Sequence, residues 1–402
     1  MKRILIFSTA YLPMQGGAEL AVKEITDRIG GYKFDLICAR LKRGLPKTER
    51  IGKVDVHRVG FGYKIDKLLL PIFGFLKARR LKIENCKLEI VLWGIMVSWG
   101  SLAALIFKIF YPQTPFLLTL QEGDTEEYIK KGRFGLINFA WRRLLAKANY
   151  VQVISNYLAD MAREYGYGGE IEVVPNGVDF KKFSISLNCE AIARKEATGW
   201  NFQFSNKDKI INLKNELNIK SSDRIIISVS RLVEKNGIRH LVDAIKLLIT
   251  NYQSPIKLLI LGSGSLENKL KTQVKNLKLE KSVLFLGDIP NEKVPQYLAI
   301  ADVFARPSLS EGLGTAFLEA MACGVPIIGT RVGGIPDFLV ERETGLFCEA
   351  KNPQNIAEKI KILLDDENLR QKLIANGRKL VEEKYDWNKI AVQMKDIFNK
   401  LL

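Results

Sequence analysis

The reading of this chain turns on residues 301–347, ADVFARPSLSEGLGTAFLEAMACGVPIIGTRVGGIPDFLVERETGLF. An apolar run at 302–305 gives way to a polar, Gly-rich loop, then to an apolar-periodic segment at 315–323. A second apolar run at 325–330 ends in a Gly333-Gly334 turn. This succession predicts strand, loop, helix and strand, the unit from which parallel sheets are wound. Three features in it carry chemistry. Glu311 lies in the loop before the helix, and Glu319 lies on the helix eight residues later. Between them Gly312-Leu313-Gly314 leads into Thr315 at the helix start, where backbone N–H groups and the positive end of the helix dipole suit a phosphate. Two carboxylates flanking such a turn fit a long, hydroxyl-rich ligand with phosphate in its middle. One Glu would accept from a ribose and the other from a sugar, which describes a nucleotide-sugar. A Glu pair at this spacing also fits a solvated helix face, and spacing alone leaves both open.

Working outward, the 402 residues suffice for two domains, each with its own core. Apolar residues make up 47% and charged residues 26%, an ordinary globular balance. The five cysteines, Cys38, Cys86, Cys189, Cys323 and Cys348, are odd in number, scattered and without a C-x-x-C. They point to a reducing cytoplasm and away from a disulfide framework or zinc site. With only His57 and His240, a His-based metal centre is not expected. The net charge of +17 is concentrated early, with 27 basic against 17 acidic residues up to Pro175. Such a surface serves nucleic acid, anionic lipid or solubility. No basic-aromatic motif is present, so no nucleic-acid partner is expected, and an anionic membrane or anionic lipid-linked substrate ranks first. The opening MKRILIFS reads as a first strand and not as a signal peptide.

Residues 3–8 form the apolar run of a buried parallel strand, and a loop over 9–17 ends in Gly16-Gly17 before an amphipathic helix at 18–29. That Gly pair is either a plain tight turn or a phosphate cradle at a helix start. Further strands are expected at 33–38, 54–59, 89–93, 116–120, 150–154 and 171–174, separated mostly by helical patterns. A second series begins at 224–230 and continues at 257–261 and 283–287, followed by helices at 352–365, 367–384 and 387–402. Strands alternating with helices imply parallel sheets covered on both faces. Residues 90–107 run for 18 positions without a charge, long enough to raise a membrane span. Gly94 and Ser98-Trp99-Gly100 interrupt them, so a strand and a buried helix explain the run more simply. Residues 64–82, KIDKLLLPIFGFLKARRLK, have an apolar middle flanked by Lys64, Lys67, Lys77, Arg79, Arg80 and Lys82. An interfacial helix meeting lipid headgroups has this composition, although Pro71 and Gly74 are expected to break one long helix. Gln121, Glu122 and Asp124 follow a strand at its carboxyl edge, where open α/β sheets place ligands. They are candidates for sugar or acceptor contact. Residues 184–218 are polar and aperiodic and read as a surface insertion with some helix.

The string Glu311-Gly312-Leu313-Gly314, then Leu318-Glu319 through Cys323-Gly324-Val325-Pro326, then Gly333-Gly334 and Thr344-Gly345-Leu346, resembles the retaining glycosyltransferases of family 4, the group 1 glycosyl transferases. The resemblance implies an α/β protein of GT-B fold, with two Rossmann-like doubly wound domains facing across a cleft. The expected boundaries are an acceptor-side domain at 1–175, a nucleotide-sugar domain at 176–378, and a C-terminal helix at 379–402 crossing back to the first domain. It implies that Glu319 binds the ribose, that Glu311 and the backbone of Gly312–Gly314 hold sugar and phosphates, and that Arg231 and Lys235 stabilise the departing diphosphate. The family has Lys directly before the Gly at position 237, where this chain has Asn236, so Lys235 is read as the second cation. Gly16 and Gly17 would border the cleft, Gly262 and Gly264 the nucleotide, and Gly287 and Ile289 the base. The family usually has His near Gln121, and this chain does not. The activity implied is metal-independent transfer of a hexosyl group from a donor such as a UDP- or GDP-hexose to a glycolipid, lipid-linked or oligosaccharide acceptor. The protein would be cytoplasmic and peripheral on the inner face of the membrane through 64–82, with no cofactor. A nucleotide-sugar 2-epimerase and a catalytically silent nucleotide-sugar binder are the rival readings.

Overall fold

The computed structural model describes residues 2–14, 16–84, 89–184 and 205–402. The chain divides into two compact units, residues 1–177 with 387–402, and residues 178–386. The first unit is built on strands β1 (Lys2–Phe7), β2 (Tyr32–Ala39), β3 (Thr48–Ile51), β4 (Val54–Val59), β5 (Ile90–Ile95), β6 (Phe116–Leu120), β7 (Tyr150–Val153) and β8 (Glu170–Val173). Their order across the sheet is β3-β4-β2-β1-β5-β6-β7-β8, parallel except for the β3–β4 pair. The winding therefore reverses between β1 and β5. Ile4, Ile6, Leu36 and Trp93 face a core closed by the helices Gly17–Arg28 and Trp387–Leu401. Ile37 alternates to the opposite face, where it meets Gly74 on the helix Asp66–Glu84. That helix lies along Trp99–Phe110, which in turn meets Leu136–Lys147.

The second unit holds β9 (Arg224–Val229), β10 (Ile256–Leu261), β11 (Val283–Gly287), β12 (Val303–Ala305), β13 (Ile327–Thr330) and β14 (Leu346–Cys348). They are all parallel, in the order β11-β10-β9-β12-β13-β14, and the winding reverses between β9 and β12. In open sheets of this kind, ligands bind beyond the carboxyl ends of the strands at the switch point. Each unit has one.

Several expectations are corrected. Pro71 and Gly74 do not break the helix, which runs unbroken from Asp66 to Glu84. Pro71 lies in its second turn, and a side chain at Gly74 would meet the Ala103 Cβ at 2.9 Å, so glycine is what lets the two helices approach. The charge-free run, by contrast, is the strand and buried helix expected, β5 followed by the Trp99–Phe110 helix, and among the described residues no helix is long and apolar enough to cross a membrane. Residues 379–386 belong to the second unit, and the returning helix starts at Trp387. Of the expected surface insertion, 185–204 lie outside the described residues. Its remainder contains the helix Ser205–Glu216, whose Ile210 and Leu213 are buried, so that part belongs to the unit's packing. The edge strand β3, TERI, is polar and partly exposed, and β14 has only three residues, so neither stands out as an apolar run.

The returning helix is anchored strongly. Trp387, Ile390, Met394, Ile397 and Phe398 are buried in the first unit, and Phe398 meets Trp93 edge-on at 5.1 Å. Burial of five such side chains contributes on the order of 10 kcal/mol before the entropy of ordering is subtracted.

Candidate functional site

At the second switch point four loops meet through glycines. Gly237 has φ +68°, and a Cβ there would lie 1.9 Å from the Pro307 carbonyl. Gly262 and Gly264 press on the backbone oxygens of Ser230 and Leu232, at 2.1 and 2.4 Å from where a Cβ would stand. Gly333, at φ +53°, does the same to the Glu311 carbonyl at 1.6 Å. Only residues without a Cβ allow these approaches. The carbonyl of Lys235 accepts from Leu309 N–H at 2.6 Å, tying the loop after β9 to the loop after β12.

This floor gathers most of the expected site residues. Gly312, Leu313 and Gly314 are buried, and Gly314, at φ +99°, precedes the helix Thr315–Ala322, which no side chain caps. The positive helix end is thus available to an anion. Glu311 is half-buried, and its carboxylate accepts from Arg306 Nη2 at 2.6 Å. Arg306 is itself 5% exposed, donates to the Val229 carbonyl at 3.2 Å and stands 4.5 Å from the Phe317 ring centroid. It is a buried post beneath the loop, bringing positive charge between the two glutamates. Sequence reasoning missed it, although an arginine directly after an apolar strand was the available signal.

Glu319 is half-buried, on the helix face toward Asn291, whose Nδ2 donates to Oε1 at 3.4 Å. Loss of solvation pushes its carboxyl up to about 7, opposed by Asn291, Lys182 and Arg306. Part of the side chain reaches solvent, so water moderates that shift. Arg231 is exposed at the end of β9 and Lys235 is half-buried in the turn Glu234–Asn236. Asn236 turns inward and donates to the Arg231 carbonyl at 2.6 Å, which closes the loop and leaves the cations to positions 231 and 235. Gly287 lies beside Gly262, whose N–H donates to its carbonyl at 2.7 Å, and Ile289 follows, half-buried.

The other candidates belong to the first switch point, on the first unit. Gly16 and Gly17 are exposed at the start of the Gly17–Arg28 helix, again without a side-chain cap. Gln121 Oε1 accepts from Asn176 at 3.2 Å, and Asp124 lies in the same loop, half-buried. Glu122 requires correction as a sugar or acceptor contact. It is 5% exposed, and its two oxygens accept from the backbone N–H groups of Val97 and Gln121. Burial pushes its carboxyl up to about 7 against those bonds. The side chain braces the loop after β5, where Met96 sits at φ +60° with its own N–H donated to the Thr119 carbonyl.

Comparison with known proteins follows the same division. Residues 15–182 match the family described as Glycosyltransferase Family 4, and residues 209–380 the one described as Glycosyl transferases group 1. The N-acetyl-alpha-D-glucosaminyl L-malate synthase of Bacillus anthracis is 36% identical over 49% of this chain, which spans 50% of that protein. A GDP-mannose-dependent alpha-(1-6)-phosphatidylinositol monomannoside mannosyltransferase of Mycobacterium tuberculosis is 26% identical over 98% of both chains. Among solved structures, a sucrose-phosphate synthase from Thermosynechococcus elongatus superposes with a TM-score of 0.81 at 21% identity, covering 100% of this chain and 99% of that one.

Proposed function

The chain belongs to glycosyltransferase family 4, the group 1 glycosyl transferases, with the GT-B fold, and on that premise we propose that it moves a hexosyl group from a nucleoside-diphosphate sugar to a glycolipid or polysaccharide precursor. The observation that carries this reading is the second switch point, where Glu311, an uncapped helix start and Glu319 follow one another on a glycine-built floor. Glu319 accepts from the ribose hydroxyls. The N–H groups after Gly314 hold the phosphates, and Glu311, aimed by Arg306, accepts from the hexose. As the glycosidic C–O bond breaks, negative charge grows on the diphosphate. Arg231, Lys235 and the helix dipole meet it, so the step proceeds without a metal ion. The new bond forms on the face from which the diphosphate leaves, with retention of configuration, and the leaving phosphate oxygen takes the acceptor proton.

The acceptor is lipid-linked, and the protein meets an anionic membrane through the first unit. Support comes from the outer face of the Asp66–Glu84 helix, where Leu68, Ile72 and Leu76 are exposed in one stripe. Ile109 and Phe110, at the end of the adjoining helix, are exposed as well. Arg79 and Arg80 follow the stripe, as basic residues do in helices lying at a lipid surface.

Thermal unfolding with UDP, GDP, ADP and CMP, each with EDTA, tests the donor site. One nucleotide at a hundredfold excess over its Kd stabilises by about 2.7 kcal/mol, and Glu319→Ala lowers that effect by about 1–2 kcal/mol. Absence of any shift removes the nucleotide-sugar reading. With that donor and a lipid extract as acceptor, NMR of the product anomer tests retention.

A further inference from the structure

We propose that Lys182 and Asn291 are positioning residues for Glu319: the ammonium fixes the asparagine amide, and the amide fixes the carboxylate that reads the ribose. This deepens the nucleotide reading above and rests on it. The short helix Phe180–Ser184 is held in place before it reaches any ligand. Asp179 Oδ1 accepts from the Lys182 N–H at 3.1 Å, Phe183 is 2% exposed, and Arg378 lies over the Phe180 ring at 5.6 Å. From this anchored turn Lys182 Nζ donates to Asn291 Oδ1, and Asn291 Nδ2 donates to Glu319 Oε1 at 3.4 Å. The three residues are 109 and 28 positions apart along the chain.

The chemistry of the three groups allows one arrangement. An ammonium offers only donors and an ionised carboxylate only acceptors. An amide between them must turn its oxygen to Lys182 and its nitrogen to Glu319. Without the ammonium, the amide is free to rotate and present oxygen to the carboxylate, which repels it. Lys182 also lies close enough, with Arg306, to favour the ionised form of Glu319 against its burial. One carboxylate oxygen is thereby tethered and the other left for the vicinal hydroxyls of a ribose. The consequence is specific. Loss of Lys182 should weaken recognition of the ribose hydroxyls and leave the contacts to base and phosphates unchanged.

The test is calorimetric titration of the full chain with UDP, GDP and ADP, then with the 2′-deoxy form of whichever binds. Wild-type protein is expected to prefer the ribonucleotide by about tenfold, the value of one charge-assisted hydrogen bond. Lys182→Met should weaken the ribonucleotide alone, bringing the two affinities within about twofold, and Lys182→Arg should restore most of the preference. Asn291→Leu should act as Lys182→Met does, and supplies the same readout if the lysine variant fails to fold. An unchanged preference in a folded Lys182→Met or Asn291→Leu overturns the relay and leaves the nucleotide site standing. Binding of no diphosphate by the wild type overturns the nucleotide reading and the relay with it.

Discussion

At the switch point of the first sheet the loop after Ile95 is held by side chains. Glu122 takes the Val97 N–H, and Ser101 Oγ donates to the Met96 carbonyl at 2.5 Å. At the switch point of the second sheet Asn236 and Arg306 also bond to backbone, but what brings the four loops together is backbone meeting backbone at Gly237, Gly262, Gly264 and Gly333. The difference decides what each edge has left for a ligand. A carboxylate used as a brace is not available to a sugar, whereas backbone meeting backbone leaves the helix start uncapped and leaves Glu311 and Glu319 bonded to side chains and not to loop N–H groups. Glu122 and Glu319 make the point together, since burial pushes both carboxyls up to about 7. One is spent on two backbone donors, and the other has a single long bond from Asn291.

The largest effect that would break this contrast is expected at Gly333. Alanine there meets the Glu311 carbonyl in a left-handed backbone, so Gly333→Ala should cost about 4 kcal/mol or prevent folding. Gly287→Ala, also left-handed at φ +67° but with open space around the added Cβ, should cost only about 1–2 kcal/mol. Urea unfolding of the two variants compares them, and equal losses would mean that close approach does not shape this edge.

A smaller effect separates the two glutamates by pH. The Glu122 carboxyl titrates at about 7 when folded, against an ordinary 4.5. Between those values the folded state holds the extra proton, so stability falls as pH rises and the loss is complete above pH 7. It amounts to about 3 kcal/mol by linkage. Glu122→Gln should flatten that part of the stability profile. It should leave nucleotide binding strengthening as pH rises through about 7, because that dependence belongs to Glu319, whose ionised carboxylate is the stronger acceptor for the ribose contact proposed above. The smallest effect on stability concerns the outer face of the first unit. Leu76→Glu with Ile72→Glu, both at exposed positions, should change unfolding by no more than about 0.5 kcal/mol. Wild-type protein is expected to sediment with anionic phosphatidylglycerol vesicles and the double variant to stay in the supernatant, and equal binding by the two would sever that face from the proposed membrane contact.

The long buried strands were legible because a parallel strand covered on both faces is apolar at every position, as in IVLWGI of β5. The glycine turns were legible too, although the reason for each is backbone approach that only coordinates display. Glu122 was misread because strand alternation stops at Leu120, and nothing local says whether the next side chain turns in or out. Arg306, Asn291 and Lys182 were missed for a related reason: their meaning lies in partners brought together by winding. Asn236 looked like a lost cation, and its buried bond to Arg231 explains the residue as a loop closure.

The helix Trp387–Leu401 completes the core of a unit whose other residues end at Gly177. During synthesis the earlier segment must therefore wait, with Ile4, Phe34 and Trp93 uncovered on one side, while residues 178–386 leave the ribosome. At bacterial and eukaryotic elongation rates that delay is roughly 10–40 s. The order of maturation is reversed relative to the order of translation: the unit begun first is finished last, and a chain stopped short of Trp387 exposes an apolar surface for chaperones and proteases to find.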